Sequence, residues 1–305
     1  MNKQTFLTLL ATFALLFSFT FSCHAKGKDK AKHVVFIGLD GWGAYSLPKA
    51  DMPNVKKLME DGAYTLKKRS ALPSSSAINW ASMFMGAGPE LHGYTEWGSK
   101  TPELPSRVLN KNGIFPTIFQ LLRDARPKAE IGCLYEWNGI KYLVDTLSLR
   151  YHYHVADYNK TPKELGNMAS AYIKEKHPTL VAICYDSPDH TGHTEGHDTP
   201  AYYEKLKELD TYVGQIVQAV KDAGILDDTI FILTSDHGGI KKGHGGKTMQ
   251  EMETAFIISG KNIKKGLRFD DVSMMQYDVA STIAHIFNLE QPQVWIGRPM
   301  KIVFK

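Results

Sequence analysis

Five apolar segments without alternating polar residues lie along the chain, at residues 33–39, 130–135, 180–185, 229–235 and 255–260. Continuous apolar runs of this length are typical of strands that are covered on both faces, as in a parallel sheet. Segments with helical periodicity lie between them. The alternation of strand and helix predicts an α/β fold, with a doubly wound, mostly parallel sheet and helices on both faces.

The clearest helix pattern begins at Thr199 and Pro200, a capping residue followed by proline at the first helical position. It ends at Gly224. Its apolar stripe consists of Leu206, Leu209, Val213, Ile216, Val217 and Val220. Three shorter stripes predict further helices: Val55, Leu58 and Met59, then Ile118, Leu121 and Leu122, and finally Val279, Ile283 and Phe287.

Residues 136–175 show neither pattern clearly, although they contain a His-Tyr-His sequence at 152–154. We interpret this segment as a small insertion or cap beside the functional site. No internal repeat and no linker follows residue 32. The sequence therefore predicts one domain over residues 26–305.

The first 25 residues have the pattern of a secretory signal peptide. Lys3 precedes an apolar stretch that is too short for a typical membrane span, and small residues lead up to Ala25. Cleavage after Ala25 would leave a mature chain without a transmembrane segment and would export it to the periplasm or the extracellular space. Lipid attachment at Cys23 is the second interpretation, and an uncleaved anchor is the third.

Composition excludes several classes of protein. The chain has 305 residues, of which 43% are hydrophobic and 22% charged, as in ordinary soluble domains. A net charge of +4, scattered along the chain, gives no reason to expect nucleic-acid binding. After signal removal only Cys133 and Cys184 remain, which favours two small core residues over a disulfide framework. The oligomeric state stays open.

Acidic and imidazole side chains follow three of the predicted strands. In open α/β sheets, ligands bind beyond the carboxyl ends of the strands. Aspartate and neutral histidine are residues that hold divalent transition metals. These residues are Asp40, Asp189, His193, Asp236, His237 and His244. Their common position predicts a metal-dependent enzyme.

Local spacing supports this interpretation for some of these residues. Asp189 and His193 are four positions apart, so a helix would place both on one face. Two glycines after His237 would allow a sharp turn there, and two more flank His244. For Asp40 the competing interpretation is an ordinary Asp-Gly turn.

Two further histidines compete with His193 for the second cluster. We expect His190 to face solvent. We expect His197 to support a ligand from behind or to lie on the surface.

Three consecutive serines, Ser74, Ser75 and Ser76, precede a helical pattern that runs from Ala77 to Met85. A hydroxyl at a helix N-terminus lies at the positive end of the helix dipole, where backbone amides favour an oxyanion or a phosphate. The alternative is a plain serine cap. Spacing alone does not choose among the three hydroxyls.

These segments resemble the alkaline phosphatase superfamily, and most closely its nucleotide pyrophosphatase/phosphodiesterase branch. The stretch Pro73–Asn79 is similar to the segment that carries the family's nucleophile. Residues Tyr185–His193, continued to Gly196, resemble its YxxxPDxxGHxxG motif, and Ser235–Gly238 matches its SDHG motif. The resemblance covers about residues 33–301. It implies that Ser76 is the nucleophile and that Asn79 binds a substrate oxygen.

Two differences from the family pattern concern the subfamily. The Gly-x-His-Gly segment that usually carries the last histidine ligand is missing, and His244 lies instead where related phosphoglycerate mutases and phosphopentomutases carry theirs. Around Ser76 the sulfatase signature Cys/Ser-x-Pro-x-Arg is absent. The turn at Gly86–Gly93 resembles a family turn in which His92 is structural.

We therefore expect a two-metal phosphoric ester hydrolase. One ion would be held by Asp40, Asp236, His237 and the Ser76 oxygen, and the other by Asp189, His193 and His244. An exported Asp/His site favours zinc, with manganese as the alternative. Ser76 would form a phosphoseryl intermediate while Asn79 and the amide of Ala77 bind a non-bridging oxygen.

The expected substrate is a small phosphoester, with a nucleotide as one candidate. No arginine lies beside Ser76 in sequence to bind a doubly charged monoester, which favours diesters. Apolar or stacking surface for the second substituent would come from Trp42, Trp80, Tyr94 and Trp97, at least two of which we expect in the core. The alternatives are a phosphomonoesterase with the same site and a secreted zinc-containing binding protein without catalysis.

Overall fold

The computed structural model describes residues 29–157 and 161–305. The predicted signal peptide and Cys23 lie outside these residues. No helix within the described ranges combines the length and the hydropathy that a bilayer-spanning segment needs.

One mixed sheet forms the centre of the described chain. Its strand order is β4-β3-β5-β1-β6-β7-β2-β8. The strands are β1 (His33–Leu39), β2 (Gly62–Arg69), β3 (Ile131–Tyr135), β4 (Tyr151–His154), β5 (Leu180–Tyr185), β6 (Thr229–Thr234), β7 (Glu253–Gly260) and β8 (Leu267–Arg268).

Five neighbouring strands, from β4 to β6, run parallel, so their carboxyl ends share one edge of the sheet. β7 is antiparallel to β6 and to β2. All five apolar segments are strands of this sheet. The predicted α/β class, with a mostly parallel sheet, is therefore confirmed.

Helices cover both faces of the sheet. They are α1 (Pro53–Glu60), α2 (Ser76–Met85), α3 (Pro89–His92), α4 (Ile118–Ala125), α5 (Lys163–Lys176), α6 (Asp189–Glu195), α7 (Pro200–Asp222), α8 (Met249–Met252) and α9 (Asp278–Ile286). α2, α4 and α9 pack on one face, and α1, α5 and α7 pack on the other.

Successive residues of β1 show how the two cores form. Phe36 points into the core beneath α2, and Ile37 points into the opposite core beneath α7, because side chains alternate along a strand. Both faces are apolar, which explains the continuous apolar run. Cys133 and Cys184 are buried and unpaired, as expected for core residues.

The interpretation of residues 136–175 as an insertion or cap needs correction. Residues 151–154 form β4, which pairs in parallel with β3 at the edge of the main sheet. α5 packs against α7 within the helical layer. An edge strand carries half-exposed residues, so β4 lacks the apolar run that marks the inner strands.

Candidate active site

The loops after β1, β5 and β6 bring the predicted acidic and imidazole residues together at the carboxyl edge of the sheet. Asp40 directly follows β1, and Asp189 begins α6 shortly after β5. Asp236 and His237 follow β6. All four residues are buried.

Ser76 is the serine that faces this cluster. Its Oγ lies 3.2 Å from His237 Nε2. It is the first residue of α2, whereas Ser75 is the N-cap and makes no side-chain cap bond. Ser74 Oγ is turned away and donates to the carbonyl of Gly246 at 2.7 Å. Ser75 Oγ lies 3.4 Å from His244 Nδ1, so Ser76 is the serine whose hydroxyl faces His237.

One group of three possible ligands consists of Asp40, Asp189 and His237, whose ligand atoms lie within 4.8 Å of one another. Asp40 Oδ2 accepts a 2.8 Å bond from Trp80 Nε1, while its Oδ1 has no partner. Asp236 lies next to this group, since its Oδ2 is 3.2 Å from His237 Nε2. This Oδ2 also has no hydrogen-bond partner.

A second group consists of Asp189, His193 and His244. Asp189 Oδ2 lies 3.0 Å from His193 Nε2 and 3.6 Å from His244 Nε2. Asp189 and His193 both lie in α6, so their four-residue spacing places them on one face of that helix, as predicted. Asp189 belongs to both groups.

Backbone carbonyls orient the three imidazoles. The Nδ1 atoms of His237, His193 and His244 donate to the carbonyls of Gly238 (2.8 Å), Lys242 (3.0 Å) and Ser74 (3.1 Å). In a neutral ring with this proton Nε2 carries the lone pair, and each Nε2 faces the carboxylates. His193 Nε2 also lies 3.0 Å from Asp189 Oδ2, and this hydrogen bond raises the pKa of His193 to about 9. Metal-binding histidines are commonly oriented by such a bond from the second nitrogen.

The electrostatics also favour a bound cation. Burial, followed by the charges of Asp236 and Asp189, raises the pKa of Asp40 well above its usual range. Burial and the charge of Asp189 raise the pKa of Asp236 to about 7. Burial lowers the pKa of His244 to about 4, so that ring is neutral at pH 7. Buried carboxylates that repel one another, beside the neutral ring of His244, are stabilised when a cation binds.

These donors fit a divalent transition metal. Oδ1 of Asp40, Oδ1 of Asp189 and Oδ2 of Asp236 are buried and lack hydrogen-bond partners. A buried carboxylate oxygen without a donor is costly unless it binds an ion. The mixture of carboxylate oxygen and imidazole nitrogen suits zinc and manganese.

The structure does not support the predicted role of Asn79. Its side chain is fully buried and holds the preceding loop, accepting from the amide of Ala71 at 2.7 Å. Its Nδ2 donates to the carbonyls of Ala71, Pro73 and Ser75. The amide of Ala77, the other expected oxygen-binding donor, is bonded to the carbonyl of Trp97 at 3.1 Å.

Three of the four aromatic residues considered for substrate stacking are buried: Trp42, Trp80 and Tyr94. Trp97 is 67% exposed. Its carbonyl is bonded to Ala77, directly after Ser76, so the exposed ring belongs to a loop beside the nucleophile.

His190 and His197, the two histidines that compete with His193, differ in burial. His190 is exposed, as predicted. His197 is buried, and its Nε2 faces Asp189 Oδ1 at 3.4 Å. Gly192 and Gly239 make room for the ring, because a Cβ on either would lie 2.3 Å from it.

Sequence reasoning missed the buried pair that supports the turn after β6. Lys68 Nζ donates to the carbonyl of Ser235 at 2.7 Å and also bonds to Gln276. Gln276 in turn donates to the carbonyls of Ser235 and Asp236. Nothing in the polar sequence around Lys68 distinguishes a buried lysine from an exposed one.

A family model and several known proteins match this chain. Residues 34–253 match the family model for type I phosphodiesterase / nucleotide pyrophosphatase. Bis(5'-adenosyl)-triphosphatase enpp4 of Mus musculus is 25% identical over 221 residues, which cover 69% of this chain and 48% of that protein. The chain thus spans about half the length of this curated relative.

Solved structures show the same fold. An inactive variant of murine ectonucleotide pyrophosphatase / phosphodiesterase 5, in complex with AMP, superposes with a TM-score of 0.70 at 16% identity, over 86% of this chain and 96% of that one. A 2-O GAG sulfatase gives a TM-score of 0.72 at 14% identity, over 88% of this chain and 73% of that one.

Proposed function

Because the chain belongs to the type I phosphodiesterase / nucleotide pyrophosphatase family, we propose that it hydrolyses phosphodiesters, with Ser76 as the nucleophile. The observation that carries this proposal is the position of the Ser76 hydroxyl, 3.2 Å from His237 Nε2 and beside unpartnered carboxylate oxygens. A nucleophile at the first turn of a helix also lies where the helix dipole stabilises negative charge.

Two divalent metal ions, zinc by preference, would be held by these residues. Asp40, Asp236, His237 and Ser76 would bind one ion, and Asp189, His193 and His244 the other. Such ions withdraw electron density from phosphoryl oxygens and lower the pKa of bound hydroxyl groups. Asp189, which belongs to both groups, would lie between them.

The reaction proceeds in two displacements. Ser76 Oγ gives its proton to solvent and forms a bond to phosphorus, while the bond from phosphorus to the leaving alcohol breaks and that oxygen takes up a proton from solvent. Water then attacks the phosphoseryl group and loses a proton to solvent, the Oγ–P bond breaks, Oγ regains a proton, and a phosphomonoester leaves. The buried start of α2 holds Oγ in place throughout.

The proposed substrate is a small phosphodiester, and a nucleotide is compatible with the exposed ring of Trp97 beside Ser76. The structural neighbour in complex with AMP supports this class. We also propose that the protein is exported, as its N-terminal pattern predicts.

A substrate pair and a serine variant test the function. We expect the purified, zinc-loaded protein to cleave bis-p-nitrophenyl phosphate faster than p-nitrophenyl phosphate. Ser76→Ala should lower kcat by about 1,000-fold or more, because loss of a nucleophile leaves only binding and electrostatic effects. Ser273→Ala, which removes an exposed hydroxyl outside the site residues, is the control and should keep most of the activity.

Three results would contradict this proposal in different ways. A strong preference for the monoester would identify a phosphomonoesterase. Undiminished hydrolysis by Ser76→Ala would exclude Ser76 as nucleophile. Bound zinc without any hydrolysis, in both wild type and Ser76→Ala, would identify a binding protein.

A further inference from the structure

Lysines are concentrated at the edge of the sheet opposite the proposed metal centre. This edge contains the amino ends of β1 and β6, the end of β7 and the start of β2. Five segments meet there and are joined by hydrogen bonds and ion pairs: 30–32, 57–61, 221–228, 261–265 and 301–305. Together they carry nine lysines but only five carboxyl side chains. We call this surface the basic pole.

Ion pairs neutralise only part of this charge. Asp228 is shared by two lysines, Lys32 at 2.5 Å and Lys261, so one of the two positive charges is left over. Three further lysines of the basic pole are exposed and form no ion pair with the residues that the structure describes: Lys221, Lys301 and Lys305. The surface therefore presents a net positive charge to solvent.

The positive excess is local and lies far from the proposed active site. Over the described residues, lysine and arginine are equal in number to aspartate and glutamate, so the rest of the described chain has no such excess. Lys32 and Asp40 flank the two ends of β1, which places them roughly 25 Å apart at about 3.3 Å per residue. An anionic surface would attract the basic pole and leave the active-site edge facing away from it.

A groove of about 530 Å³ within the basic pole combines charge with apolar surface. Five lysines line it, against Asp61 and Asp227. Between them lie apolar side chains, of which Val217 and Leu226 are partly exposed. Ile302, beside Lys301, is 42% exposed. Lysines next to exposed apolar side chains are typical of surfaces that bind the headgroup region of a bilayer, and they favour a lipid over a soluble polyanion.

The chain enters the fold at the basic pole. The amide of Lys30 donates to the carbonyl of Ile286 at 2.8 Å, and the Lys30 carbonyl accepts from Asn262 Nδ2 at 2.6 Å. Residues 26–28 add two lysines directly before this point, and the apolar stretch of the predicted signal peptide precedes them. The basic pole is thus the part of the fold that the chain reaches first after a segment suited to a membrane.

We propose that the basic pole docks on a bilayer that contains anionic phospholipids, with the active-site edge facing away from the lipid. This inference goes beyond the proposed function and does not rest on it. Each lysine near an anionic bilayer strengthens binding about fivefold, and the attraction decays within a Debye length. The docking is therefore peripheral, reversible and sensitive to salt.

Co-sedimentation with vesicles tests the docking. The zinc-loaded mature protein, which lacks the predicted signal peptide, is mixed with vesicles of phosphatidylcholine alone or of phosphatidylcholine and phosphatidylglycerol in equal amounts. We expect binding to the anionic vesicles to be about tenfold or more tighter. This preference should disappear when the salt concentration rises from about 0.1 M to about 1 M, because the Debye length then falls to about 3 Å.

A triple variant locates the docking surface. Lys221→Glu, Lys301→Glu and Lys305→Glu together reverse three exposed charges of the basic pole. We expect binding to anionic vesicles to weaken by about 100-fold or more, since each lysine contributes about fivefold. An unchanged Tm shows that the variant is folded, so that lost binding is not the result of unfolding.

The matched control reverses three exposed lysines outside the basic pole: Lys67, Lys100 and Lys247. The combined variant Lys67→Glu, Lys100→Glu and Lys247→Glu has the same net charge as the first one, but it should keep most of the binding. An equal loss in both triple variants would show that only the overall charge matters, and would overturn the proposed surface.

Fluorescent labels test the orientation. Cys133 and Cys184 are buried, so a cysteine introduced on the surface can be labelled selectively. The emission of a polarity-sensitive dye at Ile302→Cys should shift to shorter wavelength on anionic vesicles. The same dye at Trp97→Cys, in the exposed loop beside Ser76, should show no shift.

Four results would overturn the proposal. They are equal binding to both kinds of vesicle, unchanged binding by the variant of the basic pole, a shift at Trp97→Cys without one at Ile302→Cys, and binding to heparin or duplex DNA but to neither vesicle. The last result would identify a soluble polyanion as the partner of the basic pole. None of these measurements involves hydrolysis, so they are independent of the test of the proposed function.

Discussion

Asp189 is surrounded by imidazole rings. His193 Nε2 and His244 Nε2 face its Oδ2 at 3.0 and 3.6 Å, and His197 Nε2 faces its Oδ1 at 3.4 Å. Burial alone would raise the pKa of this carboxyl, but the close nitrogens of His193 and His197 outweigh it and hold the pKa well below the usual range. Asp189 is therefore the carboxylate that these side chains keep ionised.

His197 gives a prediction about positioning. His197→Ala removes the buried ring that lies 3.4 Å from Asp189 Oδ1, so we expect zinc affinity to fall roughly 10- to 100-fold, the usual cost of losing a residue that supports a ligand. Zinc competition with a chromophoric chelator measures this without any assay of activity. His197→Gln, which can still donate from its amide, should restore part of the affinity.

The control for this prediction is His152→Ala, which removes an exposed histidine from the edge strand β4. It should bind zinc like the wild type. An unchanged zinc affinity in His197→Ala would show that the ring only fills space.

His92 gives a prediction about pH. It is fully buried, accepts from the amide of Tyr94 at Nδ1 and contacts Ser82 Oγ at 3.1 Å through Nε2. Burial lowers its pKa to about 3 in the folded protein, whereas the unfolded chain takes up the proton near its ordinary value of 6.5. The stability that comes from neutral His92 is thus present above pH 6.5 and is lost as the pH falls toward 3.

We therefore expect the free energy of unfolding of the wild type to fall by about 2 kcal/mol more than that of His92→Gln between pH 7 and pH 5. Urea unfolding at both pH values measures the difference, and groups that titrate in both proteins cancel. Parallel pH dependences in the two proteins would contradict the neutral, buried state of His92.

The sequence predicted most residues that gather at the site, because ligand types at the carboxyl ends of parallel strands converge by topology alone. It did not predict the contacts of Asn79, and it left two positions open for His197, since both depend on the path of the loops. The four hydrogen bonds of the Asn79 side-chain amide form only when the turn through Ala71 and Pro73 packs against the start of the helix. Such closure leaves no periodic pattern.

At the scale of elements, α2 is tied to the loop before it through Asn79. Asn79→Ala removes the side chain that bonds both the amide and the carbonyl of Ala71, so we expect the free energy of unfolding to fall by about 1–3 kcal/mol. Chemical denaturation measures this loss. Asn167→Ala, an exposed asparagine on α5, is the control and should change stability little.

This measurement also decides between the two roles considered for Asn79. If the amide only binds a substrate oxygen, Asn79→Ala should lower kcat and leave the free energy of unfolding unchanged. If it anchors the loop, Asn79→Ala should lower both, because Ser76 begins the same helix.

Strands were predicted where both faces are buried and missed where one face or edge is open. β6 is buried at every position and reads as a continuous apolar run. β2 alternates buried Ala63, Thr65 and Lys68 with more exposed residues, and three of its eight positions are basic. The antiparallel pairing of β2 with β7 therefore could not be read from hydrophobicity alone.

At the scale of the whole molecule, metal binding should be coupled to folding. Asp40, Asp189 and Asp236 are contributed by three loops and come together only in the folded chain. Metal bound at about a thousand times its dissociation constant adds about 4 kcal/mol of stability. We expect removal of zinc with a chelator to lower the Tm by several degrees.

Zinc added back should restore the melting temperature. Asp271→Asn, which changes an exposed carboxylate far along the chain from the site residues, should respond to the chelator like the wild type. If the chelator leaves the Tm of the wild type unchanged, the metal does not stabilise the folded structure, and the prediction is wrong.

The sharing of Asp189 by both three-residue groups has a consequence for loading. An ion in one group fixes the rotamer and neutralises part of the charge of a ligand that the other group also uses. The two occupancies are thus thermodynamically linked, and the linkage is reciprocal. Removing a ligand of one group, for example by His193→Ala, should therefore also shift the affinity of the other group, so the two ions do not bind independently.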